Sequence, residues 1–201
     1  MALINPKKKE VQVKVVYYGP GRGGKTTNLE YINKKFKKRI QSEMVTVKTY
    51  GDRTLFFDFL PFDIGEIKGH SIKVQLYTVP GQVKYNATRR LVLRGVDGLV
   101  FVADSMDLRR EMNIRSLQNL KENLETFNKN IFNIPLVMQY NKRDLEEEGI
   151  PILSIDTLQR DLNSRLQAPF FPASAVKGEN VPETMKKIIA LTVSSLRKKL
   201  E

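Results

Sequence analysis

The segment GPGRGGKTT (residues 19–27) constrains the fold of this chain more than any other feature. It matches the pattern G-x-x-x-x-G-K-[ST] from Gly19 to Thr26, and it follows the β-rich run VQVKVVYY (residues 11–18). A glycine-rich loop between a strand and a helix lets backbone N–H groups surround a phosphate, and the positive end of the helix dipole adds to the attraction. The sequence therefore predicts an α/β unit that binds phosphate where this strand ends.

Two side chains of this loop have distinct expected roles. Lys25 would neutralise β- and γ-phosphate oxygens, and Thr26 would place its hydroxyl on Mg²⁺. A glycine-rich turn with an incidental lysine is the alternative, and the strand-then-helix context argues against it. The predicted nucleotide contacts of the loop are Gly21, Arg22, Gly23, Gly24, Lys25, Thr26 and Thr27.

Strand-like runs alternate with helical ones along the chain, as expected for an α/β fold with a mainly parallel sheet. Six strands are predicted, at residues 11–18, 53–62, 71–79, 98–104, 135–140 and 170–174. The segment DIGEIKGH between the second and third runs is too short for a helical crossover, so these runs should form an antiparallel hairpin. We expect a six-stranded, mainly parallel sheet with one antiparallel hairpin strand and helices on both faces.

Length and composition favour one domain over residues 1–201. The chain has 201 residues, of which 41% are apolar and 28% are charged, and a chain of this length and apolar content can bury one hydrophobic core. No apolar run approaches the roughly 20 residues of a membrane span, and the N-terminus lacks the apolar core of a secretory signal. The absence of cysteine, and Ala2 where myristoylation requires glycine, predict no lipid anchor. We expect a cytoplasmic protein, and leave open a location at a cell pole or peripherally at the membrane.

Positive charge is the other compositional feature. The net charge is +12, and part of it lies in short basic extensions at residues 1–10 and 197–201. Such clusters attract polyanions, although a solvated surface is the simpler interpretation. Aromatic residues are not interleaved with the basic runs in the manner of a nucleic-acid module. We therefore expect no specific nucleic-acid partner, and membrane contact that is at most peripheral.

Two further polar segments close predicted strands, NKRD (residues 141–144) and ASAV (residues 173–176). The carboxylate of Asp144 can accept hydrogen bonds from both the ring N–H and the exocyclic amine of guanine, and adenine offers no such pair of donors. Together with the phosphate loop, these motifs resemble those of the Ras-like small GTPase superfamily. Three motifs in the same order, each at the end of a strand, make a coincidental match improbable.

This resemblance implies a P-loop NTPase of the Ras-like type that binds GTP or GDP with Mg²⁺. Asn141 would buttress the loop, the stem of Lys142 would cover the base, and the Ala175 N–H would contact the guanine carbonyl oxygen. The implied guanine contacts are Asn141, Lys142, Asp144, Ser174, Ala175 and Val176.

The third predicted strand ends in TVPGQ (residues 78–82), where the superfamily usually has D-x-x-G. Gly81 and Gln82 match this pattern, but Thr78 stands in place of the aspartate. The resemblance implies that the Gly81 N–H senses the γ-phosphate and that Gln82 orients the attacking water. Thr78 would reach Mg²⁺ only through a bound water and would add no negative charge. The metal should therefore rest chiefly on the phosphates, Thr26 and one further hydroxyl.

Three segments of the chain resemble the bacterial MglA subfamily of polarity and gliding-motility GTPases. They are TVPGQ with its threonine, DRTLFFDFLP (residues 52–61) and LRGVDGLVFVADS (residues 93–105). The similarity covers most of the chain. It implies that Thr54 is the second magnesium hydroxyl and that Arg53 is an internal arginine finger. The alternative for Arg53 is a strand-end arginine paired with a neighbouring aspartate.

The implied catalytic set is Gln82, Arg53 and Lys25. The γ-phosphate would order residues 45–58 and 80–90, and slow hydrolysis of GTP to GDP would release them. The subfamily implies an MglB-like, roadblock-fold dimeric activator and effectors in polarity or motility, with the chain itself monomeric when alone.

A GTP-binding scaffold with little or no hydrolysis is an alternative, because the aspartate is missing. A P-loop nucleotide kinase is another, but it has no need for NKRD.

Overall fold

The computed structural model of the chain describes residues 3–5, 9–37, 44–47, 57–67, 69–82 and 85–200. Eight strands lie within these ranges: β1 (Leu3–Asn5), β2 (Glu10–Tyr18), β3 (Val45–Val47), β4 (Phe57–Ile67), β5 (His70–Thr78), β6 (Gly98–Asp104), β7 (Leu136–Asn141) and β8 (Phe170–Pro172). The helices are α1 (Lys25–Lys35), α2 (Asn86–Leu93), α3 (Arg110–Glu125), α4 (Ile155–Leu158) and α5 (Val181–Leu200). Short 3₁₀ segments are found at Asp107–Arg109, Ile131–Asn133 and Arg143–Glu146.

The strands form one sheet in the order β3-β4-β5-β2-β6-β7-β8, and β1 pairs with β2 outside this path. The pairs β2–β5, β2–β6, β6–β7 and β7–β8 are parallel, whereas β1–β2, β3–β4 and β4–β5 are antiparallel. The carboxyl ends of the parallel strands therefore lie along one edge, where ligands bind in sheets of this kind.

The predicted fold class is confirmed, with two corrections of detail. The described part of the sheet has eight strands rather than six, because β1 and β3 are three residues each and too short to show a periodic pattern. The hairpin is also tighter than predicted. β4 continues to Ile67 through a register shift between Asp63 and Glu66, so that DIGEIKGH belongs mostly to the strands. Residues 53–56 of the second predicted strand lie outside the described residues.

Alternation along β2 divides the core into two layers. Val13, Val15 and Tyr17 pack on the side that carries α1 and α5, whereas Val16 and Tyr18 pack on the side of α2 and α3. Every residue of β6 is buried, as expected for a central strand covered on both faces. Helices thus cover both faces, and no described helix combines the length and apolar character needed to cross a membrane.

One polar link crosses this core from α1 to α5. The side-chain amides of Asn28 and Gln139 exchange two hydrogen bonds of 2.8 and 2.9 Å, and both residues are fully buried. Gln139 Nε2 also donates to Thr184 Oγ1 at 3.2 Å, and Asn28 Nδ2 donates to the Gly24 carbonyl at 2.9 Å. The start of α1 is thereby tied through β7 to α5.

Candidate functional site

The loop between β2 and α1 has the conformation expected of a phosphate loop. Lys25 is buried, and its Nζ donates to the carbonyl oxygens of Gly19 and Pro20 at 3.1 and 2.6 Å, which folds the side chain back over the loop. Helix α1 begins at Lys25 without a side-chain cap and without an acidic residue in its first turn. Its positive end is therefore available to an anion.

Gly24 has to be glycine for two reasons. Its φ of +93° lies in the left-handed region, and a Cβ there would come within 2.1 Å of Asn141 Nδ2. The phosphate loop therefore packs directly on the NKRD segment.

Asn141, the last residue of β7, joins the three predicted motif loops. Its Nδ2 donates to the Gly23 carbonyl at 2.8 Å, and its Oδ1 accepts from the Ala175 N–H at 2.8 Å. The side chain is almost completely buried. A single amide therefore holds the phosphate loop, the NKRD segment and the ASAV segment together. Next to it, Ser174 Oγ accepts from the Lys177 N–H at 3.1 Å.

Asp144 lies in the 3₁₀ segment that follows β7. Its Oδ1 is buried and has no hydrogen-bond partner in the described part of the chain. Lys142 adopts a left-handed conformation, with φ of 70°, and its Nζ contacts Asp104 Oδ2 at 2.6 Å. An open surface pocket of about 600 Å³ is lined by residues of α1 and of the ASAV segment, namely Thr27, Glu30, Tyr31, Lys34, Lys35, Ala175 and Val176.

The Pro80–Gln82 segment, which follows β5, lies against the phosphate loop. Gly81 is so close to Gly21 that a Cβ on Gly81 would come within 2.1 Å of the Gly21 Cα. Gln82 is exposed, and its Cγ would be 3.7 Å from a Cβ placed on Gly21. Thr78, the last residue of β5, is buried beneath this segment's start. The structure thus brings Gln82 beside the phosphate loop.

Arg89 fixes the Pro80–Gln82 segment from the side of α2. Its guanidinium is 1% exposed, and its Nε donates to the Pro80 carbonyl at 2.8 Å. One terminal nitrogen donates to the Gly81 carbonyl and the other donates to Asn119 Oδ1. Sequence reasoning missed this residue. Its spacing of three and four from the buried Val92 and Leu93 was the available signal.

The Arg89 contacts continue into α3. Tyr18 lies under the guanidinium, with 5.3 Å from Cζ to the ring centroid, and its hydroxyl donates to Asn119 Oδ1 at 2.7 Å. Asn123 Nδ2 donates to the Tyr18 hydroxyl at 3.1 Å. Burial raises the pKa of the Tyr18 hydroxyl, so it stays protonated as a donor at neutral pH. The segment beside the phosphate loop is therefore anchored to both α2 and α3.

Two predicted site residues, Arg53 and Thr54, lie outside the described residues, and their roles stay predictions. Thr26 is exposed on the first turn of α1. Among the described residues there is no group of three or more histidines, aspartates and glutamates placed to hold a metal.

Comparison with known proteins agrees with this geometry. Residues 14–194 match the model of the Ras family. The chain is 46% identical over 198 residues to the mutual gliding-motility protein MglA of Myxococcus xanthus (strain DK1622), a match that covers 98% of this chain and 99% of that protein. It is 24% identical to the Ras-related protein RABG3f of Arabidopsis thaliana, over 90% of this chain and 82% of that protein.

A third relative is the human ADP-ribosylation factor-like protein 4C, which is 29% identical over 87% of this chain and 83% of its own length. The family model extends over nearly the whole sheet and all the loops described above. The chain therefore belongs to the Ras family of small GTPases and, within it, to the MglA subfamily.

Proposed function

We propose that this chain is a molecular switch that binds GTP with Mg²⁺, hydrolyses it slowly to GDP, and presents different surfaces to its partners in the two states. The observation that carries the proposal is the pair of hydrogen bonds made by Asn141, to Gly23 on the phosphate loop and to Ala175 on the ASAV loop. Phosphate recognition and base recognition thus share one rim of the sheet.

Asp144 supports the proposal that the site recognises guanine. A buried carboxylate oxygen without a donor costs on the order of 1–3 kcal/mol, and a ligand that supplies N–H groups removes this cost. Guanine presents two such groups side by side, whereas adenine does not. Lys142 would cover one face of the base, and the Ala175 N–H, which donates to Asn141 Oδ1 in this structure, would turn to the guanine carbonyl oxygen when the base binds.

At the phosphate end, the N–H groups of residues 21–27 and the start of α1 would hold the phosphate chain. Lys25 would leave its two carbonyl acceptors to contact the β- and γ-phosphates. The hydroxyls of Thr26 and Thr54 would hold Mg²⁺ directly, and Thr78 would do so through water. A bound Mg²⁺ would neutralise negative charge on the phosphates.

Hydrolysis would depend on Gln82 and Arg53. Gln82 lies beside Gly21, where its amide can orient water toward a terminal phosphate, and Arg53 would supply positive charge as the phosphoryl group leaves. Because Gln82 is exposed, we expect slow intrinsic hydrolysis that an activator accelerates by ordering this side chain.

The similarity to a mutual gliding-motility protein supports a role for the proposed switch in gliding motility, and we extend this role to cell polarity. The expected regulator is an MglB-like, roadblock-fold dimer that engages the two nucleotide-sensitive segments. Effectors would be polarity or motility proteins that recognise the GTP-bound surface.

Two measurements on the full chain test this function. Calorimetry with GTP, GDP and ATP in the presence of Mg²⁺ should show binding of the guanosine nucleotides and little heat with ATP. Single-turnover release of phosphate, with and without a roadblock-fold dimer, should show a slow rate that the dimer increases. Equal affinity for ATP would contradict the proposal, and tight GTP retention without phosphate release would favour the non-hydrolysing scaffold.

Replacing Asp144 by asparagine should change the base preference. The asparagine amide keeps one acceptor and gains a donor, which suits the N–H and carbonyl of xanthine rather than the two donors of guanine. Losing a charge-assisted hydrogen bond should weaken GTP binding by roughly 10- to 100-fold, and binding of xanthosine triphosphate should rise. Competition titrations with both nucleotides check this result. Glu146→Gln, in the same 3₁₀ segment but exposed, is the matched control.

A further inference from the structure

Arg109 makes a contact with the phosphate loop that the proposed chemistry does not use. It ends the 3₁₀ segment after β6, and its Nη2 donates to the Gly21 carbonyl at 2.5 Å. The two residues are 88 positions apart in the chain. A hydrogen bond from a charged donor is stronger than one between neutral groups, so this contact fixes the loop more firmly than an amide would.

The same guanidinium faces a carboxylate that the guanine motif also uses. Arg109 Nε is 3.6 Å from Asp104 Oδ2, and Lys142 Nζ is 2.6 Å from the same oxygen. Asp104 is fully buried, whereas the side chains of Arg109 and Lys142 are about a quarter exposed. One buried negative charge therefore holds two cations, one from each end of the site.

The position of Asp104 is itself firmly set. Asn113 of α3 accepts from the Asp104 N–H at 2.9 Å and donates to the Asp104 carbonyl at 2.8 Å. The Asp104 carboxylate also accepts from the Met106 N–H at 3.1 Å. Hydrogen bonds therefore hold both the backbone and the carboxylate of Asp104, so this residue gives Arg109 and Lys142 a fixed common partner.

Gly21, which receives the Arg109 hydrogen bond, is also the residue against which Gly81 packs and beside which Gln82 lies. A shift of Gly21 therefore changes the surface on which the water-orienting glutamine rests. The contacts form a continuous series from Lys142 through Asp104 and Arg109 to Gly21.

We propose that Arg109 is a positioning residue that sets the phosphate loop at Gly21 and links it, through Asp104, to the guanine-binding Lys142. It acts on hydrolysis through Gly21 and Gln82 and makes no contact with the nucleotide. This proposal rests on the proposed GTPase function, because its effect on rate is an effect on that reaction.

The test compares Arg109→Ala with Arg110→Ala in the full chain. Arg110 is the adjacent arginine, and its guanidinium pairs with Asp161 on the surface, away from the loop. We expect Arg109→Ala to lower the single-turnover hydrolysis rate about tenfold, the loss expected for one charge-assisted hydrogen bond. The Kd for GTP and the thermal midpoint should stay close to those of the unmodified chain. Arg110→Ala should change none of these quantities.

Amide hydrogen exchange of the peptide covering residues 19–26 supplies a readout that needs no turnover. Exchange in this peptide should be faster in Arg109→Ala than in Arg110→Ala, both measured without nucleotide, the state in which the Arg109–Gly21 contact is seen. Unchanged exchange, or a loss of GTP affinity and thermal stability that parallels the loss of rate, would overturn the positioning role. If the unmodified chain itself shows no guanosine-specific binding, the proposed function fails, and the exchange comparison still decides whether Arg109 holds the loop.

Discussion

Gly81→Ala should abolish most of the GTP hydrolysis while leaving GDP binding intact. The new Cβ would come within 2.1 Å of the Gly21 Cα, 2.2 Å of the Gly21 nitrogen and 2.6 Å of the Pro20 carbonyl carbon. All three are backbone atoms, so no side chain can rotate away to make room. The Pro80–Gln82 segment must instead move off the phosphate loop and carry Gln82 with it.

A displacement of about 1 Å can cost on the order of 100-fold in rate when it moves a group that orients the reactants. We therefore expect single-turnover phosphate release to fall at least by that factor. Gly149→Ala is a control for general strain, because its φ of +71° also disfavours alanine but its Cβ would meet no atom within 4 Å. A Gly81→Ala rate near that of the unmodified chain would show that the approach to Gly21 is not needed for hydrolysis.

Arg89→Met should destabilise the chain and slow hydrolysis together. Methionine retains much of the length and the packing, but it leaves the Pro80 and Gly81 carbonyls without their donor. Each buried acceptor left unpaired costs about 1–3 kcal/mol, so the free energy of unfolding should fall by roughly 2–4 kcal/mol. In a chain of this size that lowers Tm by about 5–15 °C.

Arg90→Met is the matched control, since Arg90 is the next residue of α2 and is exposed. Thermal unfolding followed by circular dichroism, together with phosphate release below the transition, separates the two effects. Replacement of Arg89 without loss of Tm would mean that water satisfies the two carbonyls, and the anchoring role assigned to this arginine would be wrong.

The parts of the site that the sequence predicts are those that depend on local pattern. The phosphate loop, NKRD and ASAV each follow a strand, so that the sheet topology alone brings them to one edge. Asn141 was expected to buttress the loop, and the structure shows its two hydrogen bonds. The last helix, Val181–Leu200, also follows from a local pattern, because Met185, Ile188 and Thr192 recur at spacings of three and four and are buried.

What the sequence did not predict depends on long-range polar contacts. Arg89 and Arg109 read as ordinary surface charges in a chain with 34 lysines and arginines. Their partners, Gly81 and Gly21, contribute only backbone carbonyls, which carry no sequence signal. Asp104 accepts the Met106 N–H, as a turn residue does, but its burial beside Lys142 and Arg109 follows from packing that no local pattern records.

The reciprocal amide pair between Asn28 and Gln139 restricts how this sequence can drift. Replacing either member alone leaves the other amide fully buried without its partner. Two apolar replacements of suitable volume remove both amides together, and the outside partners, the Gly24 carbonyl and Thr184 Oγ1, each keep another hydrogen bond. We therefore expect Asn28 and Gln139 to change together in evolution. A substitution at one site should be deleterious while the other site keeps its present residue. The two sites are therefore epistatic, because the residues that α1 can accept at position 28 depend on the residue of β7 at position 139.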